Sequence, residues 1–495
     1  MLQLGMVPIY IRYLGKDAYG LIAFYSIMLW SVGFLEQAVT PAVTREIAQN
    51  LSGGDAQIIR MRNALRTGEF VVAVVAVLIG IGGATLAPLI ARHWLIIPSM
   101  SHGYVTVCID LMCLTLALQW PSYLYTGAFI AIQRQAIWAL IRIVVLTIQA
   151  AGAFIIVVNY VRNPMPVFIW QALTFGSLSV VLGNAAWRLL PSSDKRPQFD
   201  LDIVKSLWKF ALGTFLIGFT AMLLNQIDKL VLSGRVPISS FGAYSLCFTI
   251  ASLLFNMIVW PIGLSVLPRL IALHASGQQD LIELEYRKYT QLSAALCVPA
   301  AISVSVYSHT LVSIWLGHSP EFVEQMTRIL PYIMTGTLFS ALCGMPYILR
   351  LAHGKTRLTV ARNCIGATVI LIPLLIVPPN SGILWGAIMT LLVGAGQYLF
   401  EAPVTHRKLI RTSIWSWYFK DTLPAIFGAA IVSFGMAIVE PSLGGGSMAL
   451  IYCLVSGTAS LIVAMALLAY PRTLLLSVAF KLKEICYGQL KYLFL

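Results

Sequence analysis

The chain has 495 residues, of which 59% are hydrophobic and only 11% charged, against roughly 25% charged in ordinary soluble domains. Its net charge of +14 sits in short stretches between long apolar runs, where membrane orientation and anionic headgroups account for it and nucleic acid does not. The longest polar stretches, 188–206 and 269–290, are too short for an independent domain, so soluble domains are excluded.

The apolar runs predict helices over 2–14, 20–44, 69–91, 103–130, 137–158, 165–187, 207–232, 240–267, 290–315, 326–349, 360–378, 382–403, 421–439 and 447–470. This pattern is that of an all-α polytopic membrane protein with about 13–14 transmembrane helices, each needing roughly 20 residues to cross about 30 Å of hydrocarbon. The first run is anomalous, because as a helix it reaches only about 20 Å. It is either a shortened first helix or an interfacial segment. The N-terminus has no basic region and no A-x-A site, so no cleavable signal peptide is expected.

Lys and Arg crowd into 45–66, 188–209, 269–288, 350–362, 407–420 and 472–491, while the gaps between carry one basic residue at most. Cytoplasmic loops keep Lys and Arg, so the alternation predicts that these segments and the C-terminus are cytoplasmic. It also requires a cytoplasmic N-terminus, which favours the shortened first helix. Only Arg12, Lys16, Arg92, Arg162 and Arg235 fall on the other side, and Arg142, Lys229 and Arg328 lie within apolar runs.

Trp94, Trp187, Trp208, Trp315, Trp385, Trp415 and Trp417 stand near run ends, as an aromatic belt would. Pro121, Pro261, Pro299 and Pro346 predict bends inside runs. Gly80-Ile81-Gly82-Gly83 and Gly394-Ala395-Gly396 suit close helix packing. The eight Cys are scattered singly, mostly in apolar runs, with no metal spacing; they read as buried small side chains. A faint repeat relates Lys16-Asp17-Ala18-Tyr19-Gly20 to Ser240-Phe241-Gly242-Ala243-Tyr244, the mark of two related bundles facing a cavity. The expected organisation is an N-terminal bundle over 1–190, a linker over 191–206, a second bundle over 207–410, and an additional helix pair with a tail over 411–495.

Residues 13–48 resemble the opening of the polysaccharide transporter family, the Wzx-type O-antigen flippase branch of the multidrug/oligosaccharidyl-lipid/polysaccharide exporter superfamily. The resemblance rests on Leu14-Gly15, Tyr19-Gly20 and Arg45-Glu46-Ile47-Ala48. It continues through Asn225-Gln226-Ile227-Asp228-Lys229-Leu230, Gly242-Ala243-Tyr244-Ser245, and Pro261 to Pro268-Arg269-Leu270. Val298-Pro299-Ala300, Trp315-Leu316-Gly317 and Gly382-Ile383-Leu384-Trp385-Gly386-Ala387 extend it. In the family a complete first helix precedes Leu-Gly, so the resemblance implies that this chain lacks the first half of that helix or has a genuinely short one. The resemblance implies two six-helix bundles around a central cavity with an extra helix pair outside. It implies alternating-access transport of undecaprenyl-pyrophosphate-linked oligosaccharide across the bacterial inner membrane, for O-antigen or other surface polysaccharide, without bond making. No cofactor is expected, with an H+ or Na+ gradient as candidate energy source. The expected partners are the lipid-linked oligosaccharide, membrane lipids and polysaccharide polymerase or chain-length machinery.

Charge in hydrocarbon is expensive, so ionisable residues there mark a pathway. Arg142 offers a planar fork for pyrophosphate oxygens, or it snorkels to the interface. Glu36 lies at similar depth and is its possible ion-pair partner. Asp110 either pairs with Lys229 or Arg328 or is the protonatable site of a coupled cycle. Asp228 and Lys229 are neighbours that should point in different directions, hence not a pair with each other. Lys229 is a cavity cation or a snorkelling residue, and Arg328 a pathway cation or a helix flank. The mid-helix amides Gln119, Gln149, Gln171, Asn225, Asn256 and Gln397 suit sugar hydroxyls or interhelical contacts. Trp120 offers a sugar-stacking face or packs. His309 carries no signal. A drug/cation antiporter or a peptidoglycan-precursor flippase is the alternative of the same fold. A membrane enzyme needs a large extracytoplasmic loop or a His/Asp constellation that the short loops here do not supply.

Overall fold

The computed structural model describes residues 2–33, 36–51, 53–160, 163–355, 357–439 and 446–477. Hydrocarbon offers no partner for a bare N–H or C=O, so a chain this apolar satisfies its backbone within helices. The helices are α1 (Leu2–Leu14), α2 (Lys16–Gly33), α3 (Glu36–Asn50), α4 (Asp55–Trp94), α5 (His102–Ala131), α6 (Gln135–Asn159), α7 (Met165–Leu189) and α8 (Leu201–Ser233). They continue with α9 (Ile238–Ala275), α10 (Gln279–Val306), α11 (Ser308–Leu316), α12 (Pro320–Ala352), α13 (Arg357–Ile376), α14 (Pro379–Leu409), α15 (Ile414–Ile438) and α16 (Ser447–Leu467). Among the described residues there is no named strand, only an isolated bridge between Ile96 and Pro237. Among the described residues, eleven of the helices are long and apolar enough to cross a membrane. The 33-residue α8 covers the expected span 207–232, and α2 with α3 covers 20–44.

The helices overrun the apolar runs at the basic ends. α4 begins at Asp55 and α10 at Gln279, where the hydropathy pattern places loops up to 68 and 289. Helix formation does not stop at the hydrocarbon boundary, because Gln, Glu, Lys and Arg are good helix formers. Conversely, the expected span 290–315 is broken at Tyr307, between α10 and α11. Pro121 and Pro346 follow breaks at Trp120 and Cys343, and Pro261 follows a π-helical stretch at Leu254–Val259, whereas Pro299 sits inside an unbroken helix.

By packing, the chain divides into two compact units. The first comprises Met1–Gly242 with Pro378–Gly382, and the second Ala243–Val377 with Ile383–Leu495. The segment 191–206, expected as an inter-bundle linker, lies inside the first unit. Its backbone is pinned to α4: Gln198 N–H donates to Asn63 Oδ1 at 2.8 Å and Asp200 N–H to Thr67 Oγ1 at 3.0 Å. α8 packs on α2, α3 and α4 of that unit. In the first unit α4 also packs on α5, α5 on α7, and α6 on α7. Val43, Ile47, Leu65, Trp120, Phe129 and Phe175 belong to one buried core there.

In the second unit α10 is the hub, packing on α12, α15 and α16. The C-terminal pair is fastened by a buried hydroxyl ladder: Tyr307 O–H donates to Ser456 Oγ at 2.9 Å and to the Ser433 carbonyl at 3.2 Å, and Ser433 and Ser460 hydroxyls are 2.9 Å apart. Trp415 is exposed near a helix end, but Trp417 is fully buried against Tyr398 and His406; it is a core residue of the second unit and not part of a belt.

Small residues set the closest helix contacts. A Cβ on Gly20 would overlap the Ile238 carbonyl, and one on Gly242 would stand 3.2 Å from the Gly20 Cα. The glycines of the two related motifs thus meet each other. Gly394 lies against the backbone of Gly336, while Gly396 meets nothing within 4 Å. Gly83 abuts Cys113, whereas Gly80 and Gly82 are open. Replacing Gly394 with Val therefore forces α12 and α14 apart. We expect loss of monodisperse folded protein on detergent size-exclusion chromatography, with Gly396→Val eluting as wild type.

Candidate functional site

In the first unit, α6 presents Leu140, Ile143, Val144 and Ile148 outward as exposed apolar side chains. Arg142 between them is half-buried. Its guanidinium lies over the Trp138 ring, 5.2 Å from the centroid, one turn back toward the basic end. Trp138 is itself held by a 3.1 Å hydrogen bond from Nε1 to Thr126 Oγ1. The cation thus rests on an aromatic platform at the rim of its span, an arrangement worth about 0.5–2 kcal/mol depending on desolvation. The side chain of Glu36 lies outside the described residues, so its pairing with Arg142 is not settled by the geometry.

Lys229 and Asp228 correct the expectation from sequence. Both are buried, and the ammonium lies 3.3 Å from Asp228 Oδ1 while donating to the Asn225 carbonyl at 2.6 Å. Neighbouring side chains leave a helix about 100° apart, but the four-carbon stem of Lys is long and flexible. It folds back along the helix and brings the charge to the adjacent carboxylate, because a buried charge without a partner is far more costly than a bent side chain. Asn225 is exposed and its amide donates to the Ala221 carbonyl at 2.7 Å.

Asp110 on α5 is partly buried, and its Oδ1 has no hydrogen-bond partner; among the described residues of the first unit no ion pair reaches it, and the ion pair expected with Lys229 is not formed, Lys229 being held by Asp228. Gln119 is buried and donates from Nε2 to Tyr123 O–H at 3.1 Å, leaving Oε1 unpaired. Gln171 and Gln226 are also buried with unpaired Oε1, and the Tyr25 hydroxyl is unpaired. Native interiors pair nearly all such groups. Trp120 packs in the core with its ring edge-on to Tyr123. Arg328, on α12 of the second unit, is exposed.

The second unit holds a buried ion network that the hydropathy pattern hides. Arg350 is 1% exposed and pairs with Glu401, while its Nη1 donates to Thr405 Oγ1 at 2.8 Å. Arg362 approaches the other Glu401 oxygen at 3.6 Å and donates to Asn363 Oδ1 at 2.7 and 3.0 Å. Arg287 grips Asp421 with two bonds of 2.9 and 3.0 Å, and Gln291 donates to the same carboxylate at 2.7 Å. Glu401 and Asp421 both lie in π-helical turns, Gln397–Glu401 and Trp417–Thr422, where the widened backbone re-aims side chains. Arg350 and Arg287 read as loop-flank cations in the sequence. The available signal was an acidic residue at the matching end of a neighbouring apolar run.

At the same ends, the rings of His274 and His353 lie 4.0 Å apart between centroids. Burial first, then His274 and Lys355 beside it, hold the His353 imidazole below its ordinary value of 6.5, against a 2.9 Å contact of Nδ1 with the Leu349 carbonyl that favours the charged form.

Two predictions follow from these networks. Arg350→Ala strips Glu401 of its principal partner and should cost about 3–5 kcal/mol; the melting temperature in detergent should fall sharply and recover largely in Arg350→Met/Glu401→Met. A depressed imidazole value means the unfolded chain binds the proton first, so stability is complete above pH 6.5 and is lost as pH falls below it. The melting temperature should therefore drop between pH 7.5 and 5.5 more steeply in wild type than in His353→Gln.

The chain is similar in fold to solved transport proteins. The lipid II flippase MurJ in an inward closed conformation superimposes with a TM-score of 0.68 at 13% identity, over 96% of this chain and 97% of MurJ. An inward-facing multidrug resistance MATE family transporter of the MOP superfamily gives 0.64 at 11% identity, over 82% and 94%. The eukaryotic MATE transporter AtDTX14 gives 0.55 at 10% identity, over 83% and 94%. No curated protein sequence matches the chain. The sequence profile of the family described as polysaccharide biosynthesis protein matches residues 52–321, more than half of the 495 residues and both the Arg142 and Lys229 helices. This multi-pass, all-α membrane protein belongs to the polysaccharide biosynthesis protein family.

Proposed function

We propose that the protein is a flippase that carries undecaprenyl-pyrophosphate-linked oligosaccharide across the bacterial inner membrane by alternating access, with its basic loops and C-terminus in the cytoplasm. The observation that carries this reading is the polysaccharide family match laid over a fold shared with a lipid II flippase and MATE transporters. The reading assigns transport without bond making. Its substrate is anionic at the pyrophosphate and hydroxyl-rich at the sugar. Arg142 supplies a fork for phosphate oxygens from its seat on Trp138. Lys229 supplies a second cation whose charge is held by Asp228 until an anionic ligand competes for it. The open acceptors of Gln119 and Gln171 suit sugar hydroxyls. Asp110, a carboxylate without an ion partner among the described residues, is the proposed protonation site for coupling to an H+ gradient. Polymerase or chain-length proteins are the proposed consumers of the product.

A second reading, a peptidoglycan-precursor flippase, is favoured by the likeness to the lipid II flippase along nearly the whole chain. At 13% identity that likeness speaks to fold, and the family match weighs more for the substrate.

Export of lipid-linked glycan in cells lacking their own flippase tests the proposal. Arg142→Ala should reduce export by about tenfold or more, the size of one lost hydrogen bond to a charged group, with Arg142→Lys intermediate. Lys229→Ala leaves a buried Asp228 uncompensated, so Lys229→Ala/Asp228→Asn is the informative variant and should also be defective. Normal export by well-expressed Arg142→Ala and the double variant would overturn the assignment; rescue of a lipid II flippase deficiency instead would establish the second reading.

A further inference from the structure

A cavity of about 610 Å³ opens in the first unit between α4, α5 and the segment leading into α8. It is lined by Arg66, Glu69, Phe70, Tyr125, Pro197 and Phe199, among others. Its height in the membrane follows from α4 alone. Arg60, Arg62, Arg66 and Glu69 are followed by Phe70–Ala91 without any Asp, Glu, Lys or Arg, before Arg92. That charge-free stretch rises about 30 Å, the thickness of the hydrocarbon core. The cavity therefore straddles the boundary between headgroups and acyl chains.

Its two walls differ. One is charged: the Glu69 carboxylate, mostly buried, accepts from Tyr125 O–H at 2.9 Å, Trp187 Nε1 at 2.6 Å and Arg66 Nη1 at 2.9 Å. Arg66 is 58% exposed, and this bond uses one of the five N–H donors of a guanidinium. Oε2 of Glu69 accepts from Arg66, and each carboxylate oxygen has room for two donors. The other wall is aromatic: Phe70 and Phe199 lie 4.9 Å apart between ring centroids and are both exposed. Phe199 is placed there by the bonds that strap Gln198 and Asp200 to α4. Beyond the rings, α4 continues as an exposed apolar face through Val74, Val77 and Ile81, a track for an acyl chain.

We propose that this cavity is a specific site for a zwitterionic, amine-bearing phospholipid of the leaflet on the basic-loop side. Arg66 takes the phosphate, Glu69 the ammonium, the two Phe rings flank the glycerol, and one acyl chain follows the exposed face of α4. The wall carries one positive and one negative charge, so it matches a headgroup with the same pair and gives no preference to a net anionic one. The site is separate from Arg142 and Lys229 and does not depend on the transport reading.

The test uses the full-length protein in nanodiscs of equal phosphatidylethanolamine and phosphatidylglycerol, released and weighed by native mass spectrometry. We expect one phosphatidylethanolamine to be retained. Arg66→Ala and Glu69→Gln should each lower its occupancy about tenfold or more, the scale of one charge-assisted hydrogen bond. Phe199→Ala should lower it with the ion pair intact, and Lys195→Ala, exposed on the same segment, should not. Melting temperatures establish that each variant is folded, and Phe199→Ala decides the matter should Arg66→Ala not fold. Retention unaffected by the cavity variants, a preference for phosphatidylglycerol, or an adduct with the mass of a polyprenyl-linked glycan would each overturn the proposal.

Discussion

The cost of a charge or an unpaired backbone group in hydrocarbon is the constraint on which the rest of the structure depends. It confines the chain to helices and drives charge to their ends. It also explains why polar order concentrates at the basic-loop side of each unit. There the helices run past the apolar boundary, as α4 and α10 do, and carry the ion pairs Arg60–Glu46 and Arg66–Glu69 in one unit and Arg269–Glu285 and Arg287–Asp421 in the other. The segment 191–200 follows from the same economy: a polar strap at the interface finds donors and acceptors on α4 that a strap crossing the membrane would lack.

Buried polar groups are handled in two ways. Some are cancelled locally, as Lys229 is by Asp228 and Arg350 by Glu401 with Thr405 alongside. These pairs are expensive to break and do not by themselves add stability relative to apolar packing. Others are left open, as with Asp110 Oδ1 and the Oε1 atoms of Gln119, Gln171 and Gln226. An acceptor without a partner in a membrane bundle is costly.

Helix association lacks the hydrophobic drive available in water, so contact is governed by shape and by hydroxyl bonding. Gly20 against Ile238 and Gly394 against Gly336 bring backbones together, and the Tyr307–Ser433–Ser456–Ser460 ladder ties the C-terminal pair to α10. The Tyr19-Gly20 and Gly242-Ala243-Tyr244 motifs are accordingly packing motifs. Their glycines mark one place where side chains are excluded, Gly242 standing against Gly20.

The sequence by itself determined the membrane class, the all-helical architecture and the alternation of basic loops. Each of these depends on hydropathy summed along a local segment, which one dimension records. Helix ends were legible only approximately, since good helix formers continue α4 and α10 past the apolar limit. Tertiary structure alone decided which charges are cancelled. Arg350 finds Glu401 and Arg287 finds Asp421 across different helices, and Lys229 turns back onto its own neighbour Asp228. It also decided that α8 packs with the first unit, and that Trp120 and Trp417 are core residues. Partner choice in three dimensions depends on helix rotation and rotamer, and a linear pattern of apolar and charged residues carries neither.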